Sequence, residues 1–467
     1  MKPMNTRGVG VAEASHGSRN SGLENLLEQA RWSGTQFAHA VNRAGAEVGL
    51  TLKYDQSAVS HWLRGTQPRE QVRPVVLEVL GRRLGRPVTY AEAGFRRPRN
   101  QKGPESGDTA ESLLDLGRTD MEPSRRGVLT AGLYSATLAV PLFSDQAHAE
   151  ERARPTRPTT RIGEGEVATV RTMTDRIADI LDELGGGHAR PMAAAFLVNT
   201  VAPYLRASAT EAVRKDLLSA TSDLTYLAGW MAMYERQHGL GQKYYLQALN
   251  LAREAGDHVT YCRTLRGMSL QASNLRYGRK ALELADSAAE AAPKAGPRLV
   301  AFLRGQQAHA ASMVGDRRQA FQRLGEAETA LSKADSRRES IGGYDTSAYQ
   351  FHVAHVLYET RDLPGSIAAL KAALRAKPAQ ERQGRLHANA VLAQRQFEYG
   401  HVEEACATWH AFLDDYAMLS TARGDEHFET MRRRVASRRK LRAVRELDER
   451  ARQVAAVKGQ NVPQGTA

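Results

Sequence analysis

Apolar residues along this chain recur at every third or fourth position, and runs that alternate apolar with polar are nearly absent, so the pattern predicts helices throughout. Leu23, Leu26, Leu27 and Ala30 mark a first helix. Ser33 is placed to cap a second, with Phe37, Ala38 and Val41 on its inner face. Tyr54 and Asp55 open a short third helix, Gln56–Leu63. Asp55 is its N-cap candidate, because a carboxylate can accept amide hydrogens that a first turn leaves free. Val59, Trp62 and Leu63 fall on one face of this helix; Gln56, Ser57, Ser60, His61 and Arg64 fall on the other. Gly65 stops it, and after Pro68 a longer amphipathic helix carries Val72, Val75, Val76, Val79, Leu80 and Leu84 inward.

From Val167 to about Tyr416 the chain is a succession of amphipathic helices. The first carries Val170, Met173, Ile177, Ile180 and Leu181 on one face and ends at Gly185-Gly186-Gly187. This triplet lacks the Lys-Ser/Thr of a phosphate loop and follows no strand, so it reads as a turn between helices. Beyond it the chain resembles itself every 39–46 residues or so, the spacing of paired-helix arrays. Five units align on one small residue in a first helix and two positions in a second. These are Gly229, Gly241 and Ala248; Ser269, Ala281 and Ala288; Ala308, Ala320 and Ala327; Ala354, Ser366 and Ala373; and Ala393, Ala405 and Phe412. Small residues are needed where two helices approach closely, and Tyr245, Leu324, Leu370 and Trp409 are placed to fill the holes beside them. One hairpin cannot bury its apolar face alone, so the units are expected to stack into one continuous core. The expected fold is all-α: an N-terminal helix-turn-helix domain followed by an α-solenoid.

Length and composition refine the division. A chain of 467 residues is too long for one ordinary domain. Residues 1–20 read as a disordered tail and 21–95 as the small helical domain. Residues 96–165 read as a linker holding an apolar helix over 126–143, residues 166–423 as the array, and 424–458 as one basic capping helix. The net charge of +13 favours polyanionic partners without naming one. Cys262 and Cys406, the two cysteines, lack metal-site spacing and are too few for a disulfide scaffold, which fits a reducing cytoplasm. Residues 1–20 hold no apolar stretch, so no N-terminal signal peptide is expected.

Candidate chemistry concentrates on the third helix. A helix that enters the major groove must lead with hydrogen-bonding side chains. Gln56 can bond adenine bidentately, Ser57 and Ser60 can donate or accept, and Arg64 can reach guanine or phosphate, with His61 on the same face. Thr35 and Gln36 begin the second helix, where free amides commonly hold a phosphate. Lys53 and Tyr54, just ahead of the third helix, complete the candidate contact set. Residues 21–99 carry twelve Lys and Arg against seven Asp and Glu, which suits double-stranded DNA as partner. The run SAVSHWLRGTQPR resembles the third helix and following turn of the XRE/Cro-type helix-turn-helix family. The chain departs from the simplest members between Asn42 and Asp55, which is longer than their tight turn. Either the second helix runs on through Arg43–Gly49 or a loop is inserted. The competing reading of this domain is a small helical module that binds protein.

The repeat units resemble tetratricopeptide repeats. Such a stack has a concave groove lined by first helices, and Arg263, Arg266, Asn274, Arg304, Gln307, Tyr349, His352, Asn389 and Gln396 are its candidate exposed residues. They could clamp an extended peptide or an acidic ligand. The pairing of GGGHARP with the later TYLAGWMA resembles the NsdA-type family of actinobacterial regulators, which join an XRE-like domain to tetratricopeptide repeats. That resemblance spans residues 21–450 or so. It implies a regulator of transcription, acting as a repressor of differentiation or secondary-metabolism genes, with a peptide, small-molecule or protein effector and no enzymatic activity. Two-fold DNA binding is the habit of the motif, so a homodimer is expected.

No HExxH or GxSxG motif occurs. His352 and His355 lie three apart on a helix, a spacing that suits a metal, yet no third ligand is apparent, so neither metal nor cofactor is expected. Glu403-Glu404 and Asp414-Asp415 read as surface carboxylates. The stretch SRRGVLTAGLYSATLAVP, followed by Ala147-His148-Ala149, has the look of a twin-arginine export signal but lies far inside the chain, where such signals do not act. The expectation is an apolar helix docked on the array. The alternative is an interaction scaffold tethered to a membrane through residues 124–149.

Overall fold

In the computed structural model, the structure describes residues 19–97, 109–121, 133–138, 140, 141, 143, 160–292, 296–334 and 343–460. Among these, helices account for nearly all regular structure; the one extended element is an isolated bridge between Arg161 and Ser208. The chain divides into two compact units, residues 1–103 and 104–467.

The first unit holds α1 (Ser21–Ala30), α2 (Gly34–Glu47), α3 (Gln56–Leu63) and α4 (Arg73–Leu84). Each begins or ends where the side chains dictate. Asn20 caps α1, Ser33 and Gln36 form a reciprocal capping box on α2, and the Asp55 carboxylate accepts from the Ala58 amide at 3.0 Å. The core is built from the expected stripes: Leu23, Leu26 and Leu27, then Phe37 and Val41, Val59 and Trp62, and Val75, Val76 and Leu80. Trp62 is the hinge pin of this core, with Phe37 edge-on at 6.2 Å and Tyr54 at 5.0 Å. Arg82 ties Glu78 on its own helix to Glu47 at the end of α2.

The second unit begins with α5 (Thr109–Met121), inside the stretch read as linker. Only Ala110, Leu113, Leu114 and Gly117 of its apolar positions face inward, a stripe too short to stand out from a polar segment. It nevertheless belongs to the array. Asp120 is buried in an ion pair with Arg190 and accepts from the Tyr244 hydroxyl at 3.0 Å. The first hairpin is α6 (Glu164–Leu184) with α7 (Gly186–Phe196), which continues through a π-helical turn, Leu197–Val201, into α8 (Ala202–Arg206).

Five hairpins follow: α9 (Glu211–Tyr234) with α10 (His238–Ala255), α11 (His258–Asn274) with α12 (Gly278–Glu290), α13 (Pro297–Met313) with α14 (Arg317–Ser332), α15 (Thr346–Glu359) with α16 (Leu363–Ala376), and α17 (Arg382–Tyr399) with α18 (Val402–Tyr416). They coincide with the five repeat units. In three of them the aligned residues that stand twelve apart are seen to meet where the helices cross. A methyl group added at Gly241 would sit 3.0 Å from the Gly229 carbonyl oxygen; Ser269 donates to the Ala281 carbonyl at 2.7 Å and Ser366 to that of Ala354 at 2.8 Å. The result is an all-α, solenoid-like stack.

The stack closes on itself. The Ser420 amide donates to the Leu184 carbonyl at 2.8 Å, and the Gly187 amide to the Ser420 carbonyl at 3.0 Å. This explains the glycine triplet. Gly185 has φ +91, and a side chain there would meet Ser420 at 2.3 Å, while one on Gly186 would strike Glu235. The triplet is the inter-helix turn the sequence suggests, and it also seats the far end of the array.

Two expectations are corrected. Residues 424–458 are not one helix: α19 (Ala422–Val435) and α20 (Arg442–Gln460) are separated by a 3-10 turn, Ala436–Arg438. Val444 and Leu447 are buried, and Leu441 is exposed. The expected apolar helix over 126–143 is not seen where that stretch is described: residues 133–138, 140, 141 and 143 are turn and coil. They lie along the array as a strap. Tyr134 stacks on Tyr277 at 5.6 Å, the Gln242 amide brackets both backbone groups of Ser135, Tyr261 donates to the Pro141 carbonyl, and Phe143 packs on His258. The side-chain amide of Gln242 replaces the backbone partners a helix would have supplied. The arginine pair at 125 and 126, Ala147–Ala149 and tail residues 1–18 fall outside the described residues. No helix among the described residues is long and apolar enough to cross a membrane.

Candidate functional site

The face expected to read DNA is assembled by a close approach of α2 to α3. Gly34 makes it possible: its missing side chain would lie 3.3 Å from Gln56 Cγ and 3.7 Å from Val59. Thr35, one residue on, donates from Oγ1 to Gln56 Oε1 at 3.3 Å. The N-terminal turn of α2, with its partial positive charge, is thereby set beside the first side chain of α3. Among the described residues the Gln56 amide nitrogen has no partner, so a donor is left for a ligand. Gln56, Ser57, His61 and Arg64 are exposed, as are Thr35, Gln36 and Lys53; Val59 and Trp62 are buried beneath them.

Three of the expected contact residues have other employment. Ser60 is half-buried and turns its hydroxyl back onto the Gln56 carbonyl at 2.9 Å. Gln36 closes the capping box by accepting from the Ser33 amide at 3.0 Å. Tyr54 packs on Trp62, and its backbone is held at both ends by Asn42, which accepts from the Tyr54 amide at 2.9 Å and donates to its carbonyl at 2.8 Å. That clamp also answers how the long connection is made. Helix α2 runs on to Glu47, Gly49 turns the chain at φ +76, and Asn42 fixes the extended run into Asp55.

Sequence reasoning missed Arg43 and His39. With Gln36 and Trp32 they border a shallow depression along α2. Arg43 stands seven residues after Gln36, two helical turns along the same face, a spacing that would have found it. Arg43, Lys53 and Arg64 have no ion-pair partner among the described residues, whereas Arg19, Arg82 and Arg86 of this unit are each paired with a carboxylate.

Residues 23–96 match the model of a family described as the SP15 N-terminal domain. No curated protein matches the chain. The SP15-type match begins inside α1 and ends just past the turn that returns beside it, where Asn20 donates to the Ala93 carbonyl at 3.0 Å. It therefore spans nearly all the described residues of the first unit and none of the second.

In the array the nine expected groove residues separate into two groups. Arg263 is paired with Asp223 at 2.9 Å, Arg304 with Glu326 at 3.0 Å, and Gln307 donates to Asp286 at 2.7 Å. Tyr349 lies beside Glu328, and burial pushes its phenol up to about 12. Gln396 accepts from Thr408 within its own hairpin at 2.7 Å, and Asn389 is buried in α17. Five of these six are engaged with neighbouring side chains inside the array, and Asn389 is buried. Arg266, Asn274 and His352 instead belong to an inner row contributed by the first helix of successive hairpins. Because the stack closes, this row is interior rather than an open groove. Tyr234 of α9 meets Arg423 of α19 at 4.8 Å, and Arg423 reaches Asn274 of α11 at 3.4 Å and His387 of α17 at 3.2 Å.

The row is rich in histidine. His309 lies 4.5 Å from His355, and His387 bonds His427 at 2.9 Å. Burial, followed by neighbouring cations or other histidines, lowers the pKa of all of these; His309 and His427 fall to about 3. His352, also held well below its usual range, shares a 2.9 Å hydrogen bond with the Tyr344 hydroxyl. Among the described residues no three His, Cys, Asp or Glu side chains are grouped to hold a metal.

Proposed function

We propose that this chain is a sequence-selective DNA-binding regulator of transcription. It reads the major groove with α3 and receives an effector through the helical array. The observation that carries the reading is the α2–α3 face itself. Gln56, with its amide nitrogen unpartnered, stands with Ser57, His61 and Arg64 on an exposed helix face whose opposite side is locked in the core by Val59 and Trp62. Unpaired Lys53, Arg43 and Arg64 border it, and the N-terminus of α2 is set alongside, where phosphate is favoured. The resemblance of SAVSHWLRGTQPR to XRE-type recognition helices points the same way. So does the resemblance of residues 21–450 or so to NsdA-type regulators, which suggests a cytoplasmic, homodimeric repressor without enzymatic activity.

The test is selection from a pool of random duplexes by the purified full-length chain. A regulator of this kind enriches a motif, and its affinity for that motif falls steeply with salt, because each neutralised phosphate contributes about −0.9 to the slope of log K against log salt. Recovery of an unenriched pool after repeated rounds contradicts the proposal.

A further inference from the structure

The inner row of the array contains one arginine whose charge no carboxylate among the described residues answers. Arg266 of α11 is 6 % exposed. Its guanidinium lies 4.0 Å from the Phe302 ring centre and 5.8 Å from that of Trp230, and its Nε is buried without a hydrogen-bond partner. Among the described residues no carboxylate pairs with it. Burial pushes its pKa down, and the groups near enough to oppose that are neutral phenols: Tyr226, Tyr344, Tyr234 and Tyr245. Other deeply set arginines of this unit are answered. Arg190 meets Asp120, Arg263 meets Asp223, and Arg395 donates to the Ala354 carbonyl and the Ser366 hydroxyl. Two ring faces return only part of what it costs to take a guanidinium out of water.

The surroundings repeat the deficit. His309 Nδ1 and the Tyr245 hydroxyl are also buried without partners. The His352 ring lies 6.5 Å from that of His309. When His352 Nδ1 accepts from Tyr344, its Nε2–H remains as a donor. One buried guanidinium beside neutral hydrogen-bonding groups, with no carboxylate paired to it among the described residues, is complementary to a planar or tetrahedral oxyanion.

We infer that Arg266 holds the oxyanion group of a small ligand inside the closed array, a carboxylate or a phosphate, with His309 and His352 as neighbouring donors. The inference rests on the reading of the array as the effector-receiving part of the chain and is independent of how α3 meets DNA.

The experiment uses the purified full-length chain without DNA. Calorimetric titration and thermal melting are run with potassium phosphate in one arm and potassium acetate in the other, each against potassium chloride at matched ionic strength. One arm is expected to give saturable heat and a rise in Tm, which identifies the oxyanion. Arg266→Met keeps the contacts with Phe302 and Trp230. It should melt no lower than the parent in chloride yet bind the anion at least about tenfold more weakly, the loss of a charge-assisted hydrogen bond. Arg266→Lys should retain part of the response. If the parent chain responds to neither anion, or if Arg266→Met responds as the parent does, the site does not exist. Because no DNA is present, that failure leaves the DNA-binding proposal standing, and a failure of DNA selection leaves this one standing.

Discussion

Gln56 does not hang free on its helix. Its side-chain oxygen Oε1 accepts from the Thr35 hydroxyl, so the amide is aimed before any ligand arrives, and its nitrogen is left to donate. Holding a rotamer in advance lowers the entropy lost on binding. Thr35→Val should therefore leave the fold intact and weaken binding of the selected duplex by about 0.5–1.5 kcal/mol, the range for one immobilised side chain. Equal affinity of Thr35→Val and parent in an anisotropy titration would remove Thr35 from the site. Asp120 presents the opposite case, a residue whose worth lies in stability. Removing one partner of a buried ion pair leaves the other charge unanswered, so Asp120→Ala should lower the unfolding free energy of the array by about 3–5 kcal/mol. Denaturant unfolding followed by circular dichroism measures this. A loss under about 1 kcal/mol would mean that Arg190 finds another partner or water.

At the scale of elements, what was legible in the chain was what neighbours decide. The bounds of α3 follow from Asp55 at one end and Gly65 at the other. The five hairpins follow from small residues that recur twelve positions apart. What was not legible depends on single contacts between distant residues. The connection into α3 is set by Asn42 gripping Tyr54, twelve residues away, and no local pattern announces that pair. Helix α5 was read as linker because its stripe is short and its anchors, Arg190 and Tyr244, lie far along the chain. The stretch around Ser135 reads as helix because it is apolar, yet it is turn and coil, with both backbone groups of Ser135 held by Gln242. Asn42→Ala removes two hydrogen bonds from a half-buried site and should cost about 1–3 kcal/mol in the first unit. Amide exchange at residues 50–55 should rise with it, while exchange in α1 and α4 changes little. Uniform loss of protection across the unit would contradict a local clamp.

For the array as a whole, closure turns a groove into an interior, and this no sequence window could show, because it rests on Leu184 meeting Ser420. The closure has a consequence in pH. His238 falls to about 4 through burial and the nearby Arg423, His309 and His427 fall to about 3, and His352, His355 and His387 are pushed down as well. A histidine held neutral in the fold binds its proton first in the unfolded chain. Its contribution is complete above about pH 6.5 and is lost as the pH falls toward the folded value, at about 1.4 kcal/mol per pH unit for each such group. Asp182, raised to about 7 by burial and Glu381, works in the opposite sense, as do half-buried Asp223 and Glu235; the histidines outnumber them. Stability of the array should therefore fall steadily between about pH 6.5 and 4, where many helical proteins change little. A flat profile of unfolding free energy over that range would show that the inner row is wet.

The proposed function turns on whether α3 reads bases. Equilibrium binding of the selected duplex and of a scrambled duplex, by the parent chain and by Gln56→Ala at one fixed salt concentration, addresses this most directly. If Gln56 bonds a base, Gln56→Ala loses about 1–3 kcal/mol on the selected duplex, keeps its affinity for the scrambled one, and tolerates substitution at a single base pair. Parent and Gln56→Ala chains that discriminate the two duplexes equally well would show that some other surface does the reading.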